Sequence, residues 1–214
     1  MTNTTKLVLA IILFGSLVGL FDLLGHDLLK AAGVDEKSPY LVALVFFVLI
    51  AARLLVNRPG STLAMGAVAG LFKLAGFLVL GRDVWVCQCG AVVIQAGALD
   101  LFISLAPQRT RLRLHLLLPA AVVACAVSYL AFVAFAARLS GGAFSQGAYA
   151  SHYLATRLPM ALPLSLLVAG LGYLVGRGLV KPFERLQRSR LAFGASAGVV
   201  AAAAIVVFVL DLAR

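Results

Sequence analysis

The sequence predicts an all-α integral membrane protein, a polytopic helical bundle of six to seven transmembrane helices in a single domain spanning residues 1–214. Three observations carry this. Of 214 residues, 63% are hydrophobic and 12% charged, whereas soluble domains carry about 25% charged residues. The mean hydropathy is +1.06. The apolar residues gather in seven runs, each close to the roughly 20 residues that a helix needs to cross a bilayer.

The first run, Leu7 to Gly25, follows Lys6 and could pass for a signal peptide. It outlasts the usual apolar region of such a leader and meets no small-x-small cleavage site, so it is expected to stay as a helix. The second, Tyr40 to Val56, starts after Pro39, and the third, Thr62 to Gly81, starts after the breaker Arg58-Pro59-Gly60. The fourth, Val84 to Ala106, ends at Pro107, and the fifth runs from Leu114 to Ala137 with Pro119 inside. The sixth, Leu158 to Gly176, holds Pro159 and Pro163 near its start, which predicts a kink that neighbouring helices satisfy. The seventh, Leu191 to Leu212, follows the breaker Lys181-Pro182.

The formal net charge of +10 is spread between the apolar runs rather than gathered in one tract. That is a topology signal, not a nucleic-acid-binding signal. Arg53 and Arg58, then Arg109, Arg111 and Arg113, then Arg177, Lys181, Arg185, Arg188 and Arg190 fall in alternate connections. The positive-inside rule makes those connections cytoplasmic, along with the N-terminus. The intervening connections carry Asp27, Asp35 and Glu36 with Lys30 and Lys37, then Arg82 with Asp83, then no charge between Leu139 and Ser151.

Charge at mid-bilayer costs about 3 kcal/mol or more, so such residues face a cavity or a partner. Lys73 and Gln95 each lie about 11 residues into the third and fourth runs, near the midplane when counted at about 1.5 Å per residue from opposite faces. Asp100 lies within reach of a flexible Lys stem if the two helices form an antiparallel hairpin. Two readings follow: Lys73 and Gln95 line a polar pocket, or Lys73 and Asp100 form a structural ion pair that fixes helix register. Above them, Asp22 and His26 share a helix face, with Asp27, Gln146, His152 and Arg157 near the same outer level. Asp22 and His152 would close a pocket from above, with Trp85 and Tyr149 offering ring faces for stacking.

Cys87-Gln88-Cys89 has a one-residue spacer where thiol oxidoreductases carry two, so these sulfurs, with Cys125, read first as small apolar side chains. The sequence holds no Gly-x-Ser-x-Gly elbow, P-loop or His-Glu-x-x-His, so no enzymatic activity, cofactor or metal site is expected. Small-x-x-x-small pairs occur at Gly15/Gly19, Gly66/Gly70, Gly172/Gly176 and Gly194/Gly198. The first of these, on what is expected to be a peripheral helix, suggests a contact with another subunit.

The run Arg58-Pro59-Gly60, then Ala69-Gly70-Leu71, then Gln95-Ala96-Gly97-Ala98-Leu99-Asp100-Leu101-Phe102 resembles the substrate-binding S components of energy-coupling factor (ECF) ABC transporters. It is most similar to the branch for hydroxymethylpyrimidine or thiamine precursors. The likeness covers about 50 of 214 residues. Asp100 stands where a Glu is usual, the early Ala-x-x-x-Ala pair is missing with Gly15 and Gly19 as possible substitutes, and seven apolar runs replace the commoner six. The resemblance implies a multi-pass protein of the bacterial cytoplasmic (inner) membrane that captures a vitamin or precursor. It would work with a transmembrane coupling subunit and cytoplasmic ATPases, toppling in the bilayer to release its ligand. The rival expectations are an accessory or scaffold subunit of a larger membrane complex, and, third, a membrane thiol oxidoreductase using Cys87 and Cys89.

Overall fold

In the computed structural model the described residues are 3–80, 86–105, 113–140 and 147–212, of which 76–80, 86–88, 139–140, 148–149, 188, 190–191 and 204–212 are described by backbone alone. They form seven helices: α1 (Asn3–Ala31), α2 (Ser38–Val56), α3 (Ser61–Leu80), α4 (Val86–Leu105), α5 (Leu114–Ser140), α6 (Gly147–Arg188) and α7 (Arg190–Leu212). By length and composition Asn3–Ala31, Ser38–Val56, Leu114–Arg138 and Ala150–Gln187 can each cross a membrane. Shorter apolar stretches of the other three helices lie among the described residues. The chain is a multi-pass all-α membrane bundle.

The helices run up and down, and six of them close a ring. α1 packs on α3, α3 on α4, α4 on α5, α5 on α6, α6 on α7, and α7 back on α1. The seventh, α2, fills the middle and touches α1, α3, α4 and α6. Its composition suits that place. From Val42 to Arg53 nearly every residue is buried, whichever way its side chain points, as expected of a helix apolar all round and enclosed by protein. Among the described residues the centre of the bundle is therefore occupied by α2.

Lipid tails are as apolar as leucine, so close backbone approach and polar contacts supply the association energy that water would otherwise provide. Three of the four glycine pairs serve this purpose, while Gly194 and Gly198 have nothing within 4 Å of an added Cβ. A Cβ on Gly15 would meet the Val68 Cβ at 2.6 Å, and one on Gly66 the Ala96 Cβ at 2.3 Å. Gly172 and Gly176 bring α6 against Phe47 and Ala51 of α2. The expected role of Gly15 and Gly19 in a subunit contact is thus corrected: Gly15 lies on Met65 and Val68, Gly19 on Phe72, and both serve the α1–α3 seam inside the bundle.

Two boundaries depart far from the sequence reading. α6 is 42 residues long, with Pro159, Pro163 and Pro182 inside it, and absorbs much of both flanking connections. At its start Tyr153 packs on Tyr129 and Phe132 of α5. At its end Phe183 wedges between Phe14 and Phe193, with ring centroids 5.6 Å from each. These aromatic anchors hold as helix what polar composition marks as loop. Between α2 and α3, Asn57 (φ +43°) caps α2 by donating its N–H to the Arg53 carbonyl at 2.8 Å, and Gly60 (φ +81°) takes the left-handed turn that suits glycine.

Candidate functional site

Lys73 and Asp22 form an ion pair between α3 and α1, about two thirds of the way along both helices. The parallel α1–α3 register, set by Gly15 on Val68 and Gly19 on Phe72, brings residue 22 level with residue 73. Asp22 is 4% exposed, and the Lys73 side chain keeps 16%. Both members of the pair are thus largely enclosed, the carboxylate more completely than the lysine stem. Both were read from the sequence as site residues, one below a pocket and one above it; the structure joins them directly.

The expected Lys73–Asp100 pair does not form. On the antiparallel α3–α4 hairpin, Gly66 meets Ala96 and Gly70 meets Val93 and the Cys89 carbonyl, so Lys73 stands opposite Cys89. Asp100 lies 11 residues further along α4, about 16 Å away and beyond the reach of a lysine stem. The same register sets Gln95 about 9 Å along the axis from the Lys73 level, so the two do not share a height. Counting depth from opposite ends of two runs cannot detect such a slip. The Gln95 Oε1 is buried with no hydrogen-bond partner.

Asp100 instead faces Arg53, which sequence reading assigned to a connection. Arg53 lies in the last turn of α2 and is fully buried. Its guanidinium donates to Ser61 Oγ at 3.1 Å and Ser104 Oγ at 3.3 Å, and approaches Asp100 Oδ1 at 3.7 Å. Ser61 Oγ in turn donates to the Arg58 carbonyl at 2.6 Å. The Arg-Pro-Gly turn, which drew attention as a motif, thus delivers a hydroxyl to a buried arginine. A signal existed: Arg53 falls inside the run Tyr40 to Val56, and Asp100 sits at a similar distance from the same end of α4.

At the other end of the bundle a third polar cluster joins α2, α5 and α6. Arg157 pairs with Glu36 and covers the Tyr153 ring at 4.1 Å from its centroid, while the Ser38 and Tyr129 hydroxyls lie 3.1 Å apart. His152 is exposed beside this cluster, and its carbonyl accepts from the Thr156 hydroxyl. His26 is exposed next to Asp27. Trp85 and Gln146 lie outside the described residues, as does the side chain of Tyr149. Cys89 and Cys125 are buried, and the Cys87 side chain is outside the described set. Among the described residues no three His, Cys, Asp or Glu side chains group as metal ligands.

A groove of about 550 Å3 opens at the end of the bundle near Arg58, lined by Leu7, Ile11, Arg58, Pro59, Gly60 and Ser61. It lies about 18 Å along α3 from Lys73 and does not include the pair. No protein family, curated protein or solved structure matches the chain.

Proposed function

We propose that this chain is a membrane-embedded binding subunit for uptake of a small organic micronutrient, with the Asp22–Lys73 pair as its contact for a polar or charged group of the solute. The observation that carries this reading is that pair itself: a carboxylate and an ammonium joined between α1 and α3 within an apolar bundle, both largely enclosed. An apolar pair of similar volume would pack at no greater cost, so stability alone does not require the two charges there. Intramembrane ionisable groups mark solute or ion pathways far more often than other membrane positions do. The resemblance of Arg58-Pro59-Gly60 and of Gln95 to Phe102 to ECF S components favours a vitamin or precursor as the solute, with coupling and ATPase subunits supplied separately.

The test is purification in mild detergent followed by native mass spectrometry of the wild type, Asp22→Asn and Lys73→Gln. The wild type is expected to carry a small organic molecule that both variants lose. Wild-type and variant proteins with the same small-molecule complement would refute the reading, and co-purifying ATPase would support the transporter assignment.

The inward pairing of Arg53 with Asp100, and the pairing of Arg157 with Glu36 at the bundle end, favour a second reading, an accessory subunit whose charges only set helix register. It predicts that replacing Asp22 and Lys73 together by apolar residues leaves the function of the host complex intact.

A further inference from the structure

The end of α6 carries Arg177, Lys181 and Arg185 at four-residue spacing, all exposed, and therefore as one stripe along the helix. Tyr173 begins the stripe one turn earlier; its hydroxyl accepts from Arg177 at 3.2 Å, and the guanidinium lies 5.6 Å from its ring centroid. The opposite face of the same segment is occupied: Gly176 lies on Ala51 and Leu54 of α2, and Phe183 between Phe14 and Phe193. Beside the stripe, Leu171, Leu174, Val175 and Leu179 are exposed by 41 to 64%, which is what a lipid-facing helix surface presents.

The height of the stripe follows from its contacts. Gly176 is level with Ala51 and Leu54, and α2 ends at Val56. Arg177 therefore lies inside the last turn of α2, Lys181 about at its end, and Arg185 about 6 Å beyond. The row thus runs from beside the exposed leucines to past the end of α2. Lysine and arginine stems in that zone lie along apolar surface and extend their charge to the interface. The single nearby exposed acid among the described residues of this segment is Glu184.

We infer that the Tyr173–Arg177–Lys181–Arg185 stripe is a binding site for anionic phospholipid headgroups, with the adjoining leucines against the acyl chains. Phosphate chemistry needs donors and positive charge, which the guanidinium and ammonium groups supply, and each basic group near such a surface is worth roughly a fivefold change in partition. The inference is independent of any solute at Asp22 and Lys73.

The experiment is native mass spectrometry of the full chain released from nanodiscs of equimolar phosphatidylcholine and phosphatidylglycerol. The wild type is expected to retain phosphatidylglycerol over phosphatidylcholine. The Arg177→Gln/Lys181→Gln/Arg185→Gln variant should lose that preference by at least about tenfold, and an Arg177→Lys/Arg185→Lys variant, which keeps the charge, should retain most of it. Lys30→Gln/Lys37→Gln, at the opposite end, should match the wild type. Millimolar glycerol phosphate separates a headgroup site that needs the whole lipid from one that takes free phosphate: no displacement supports the lipid, and full displacement overturns the claim for the acyl-chain wall. Equal retention of both lipids by the wild type, unchanged preference in the triple variant, or an equal loss in the opposite-end control would each overturn the inference. If the triple variant fails to fold, Lys181→Gln alone carries the test, with about a fivefold fall expected and no change refuting.

Discussion

Removing one partner of the Asp22–Lys73 pair and then both separates the structural from the functional meaning of the charges. Asp22 is 4% exposed, so Lys73→Met leaves a carboxylate enclosed by α1 and α3 with its cation gone. Breaking a buried pair in this way costs about 3 to 5 kcal/mol, whereas replacing both partners by apolar groups is close to neutral or stabilising. The pair lies within an apolar bundle, so the expected cost falls in that range, about 3 kcal/mol or more. Asp22→Leu alone strands an ammonium on a flexible stem that can re-aim its charge, so it should cost less than Lys73→Met. The double variant Asp22→Leu/Lys73→Met should return to within about 1 kcal/mol of the wild type. The cycle therefore predicts a coupling free energy of about 3 kcal/mol or more, at the top of the range for contacting residues. Unfolding in detergent micelles by steric trapping measures it. A cost below about 1 kcal/mol for Lys73→Met, or simple additivity, would show that the pair does not exist in the folded protein. A double variant that recovers stability but not its bound small molecule would assign the charges to the solute. Recovery of both would assign them to packing.

Three further outcomes follow from the geometry. Gly66→Val should destabilise by about 3 kcal/mol, because its Cβ would fall 2.3 Å from that of Ala96; Gly178→Ala, with nothing within 4 Å of its Cβ, should stay within about 0.5 kcal/mol in the same unfolding assay. Arg53→Met should cost about 3 to 5 kcal/mol by stranding Asp100, and Arg53→Lys should recover only part, since an ammonium cannot reproduce the fork that reaches Ser61 and Ser104 together. Equal stability of Arg53→Lys and the wild type would mean that the two serine contacts contribute nothing. Cys125, fully buried on α5, should resist maleimide in the folded protein and react after unfolding; labelling at equal rates in both states, read by intact mass, would contradict its placement.

Fold class and the number of helices were legible because apolar run length is a strong signal in a chain that is 63% hydrophobic. Helix ends were less so. Loop-like composition around Gly147 and around Lys181 becomes helix because Tyr153 and Phe183 find aromatic neighbours on other elements, a tertiary effect that no local pattern encodes. The identity of the central helix was also hidden. In water an amphipathic stripe reveals which face is buried, but lipid-facing and protein-facing positions here are equally apolar, and only the environment of α2 shows it to be enclosed. Individual charged residues were legible as anomalies, yet their partners were not. Asp22, Lys73 and Asp100 were each singled out, and the pairing was misassigned because it depends on helix register to within one turn. Register is set by contacts such as Gly66 on Ala96, which sequence spacing does not fix.

Two groups of helices in the bundle are each held by a glycine seam and an ion pair. α1, α3 and α4 are joined along glycine seams at Gly15, Gly19, Gly66 and Gly70, with Asp22–Lys73 closing one of them. α2 and α6 are joined along Gly172 and Gly176, with Arg157–Glu36 holding α6 to the segment just before α2. Between the groups α2 touches α3 and α4 far less than it touches α6, and there Arg53 extends from the central helix to Ser61, Asp100 and Ser104. A fully buried guanidinium is costly to desolvate, and its position explains the expense: where smooth packing is thin, a long side chain with a planar fork can hold two helices at once. The same reasoning accounts for the Arg58-Pro59-Gly60 turn, whose left-handed Gly60 starts α3 at the point that puts Ser61 against Arg53. Motif and buried charge are thus parts of one joint, and a change at Gly60 should be felt at Arg53 before it is felt anywhere else in the bundle.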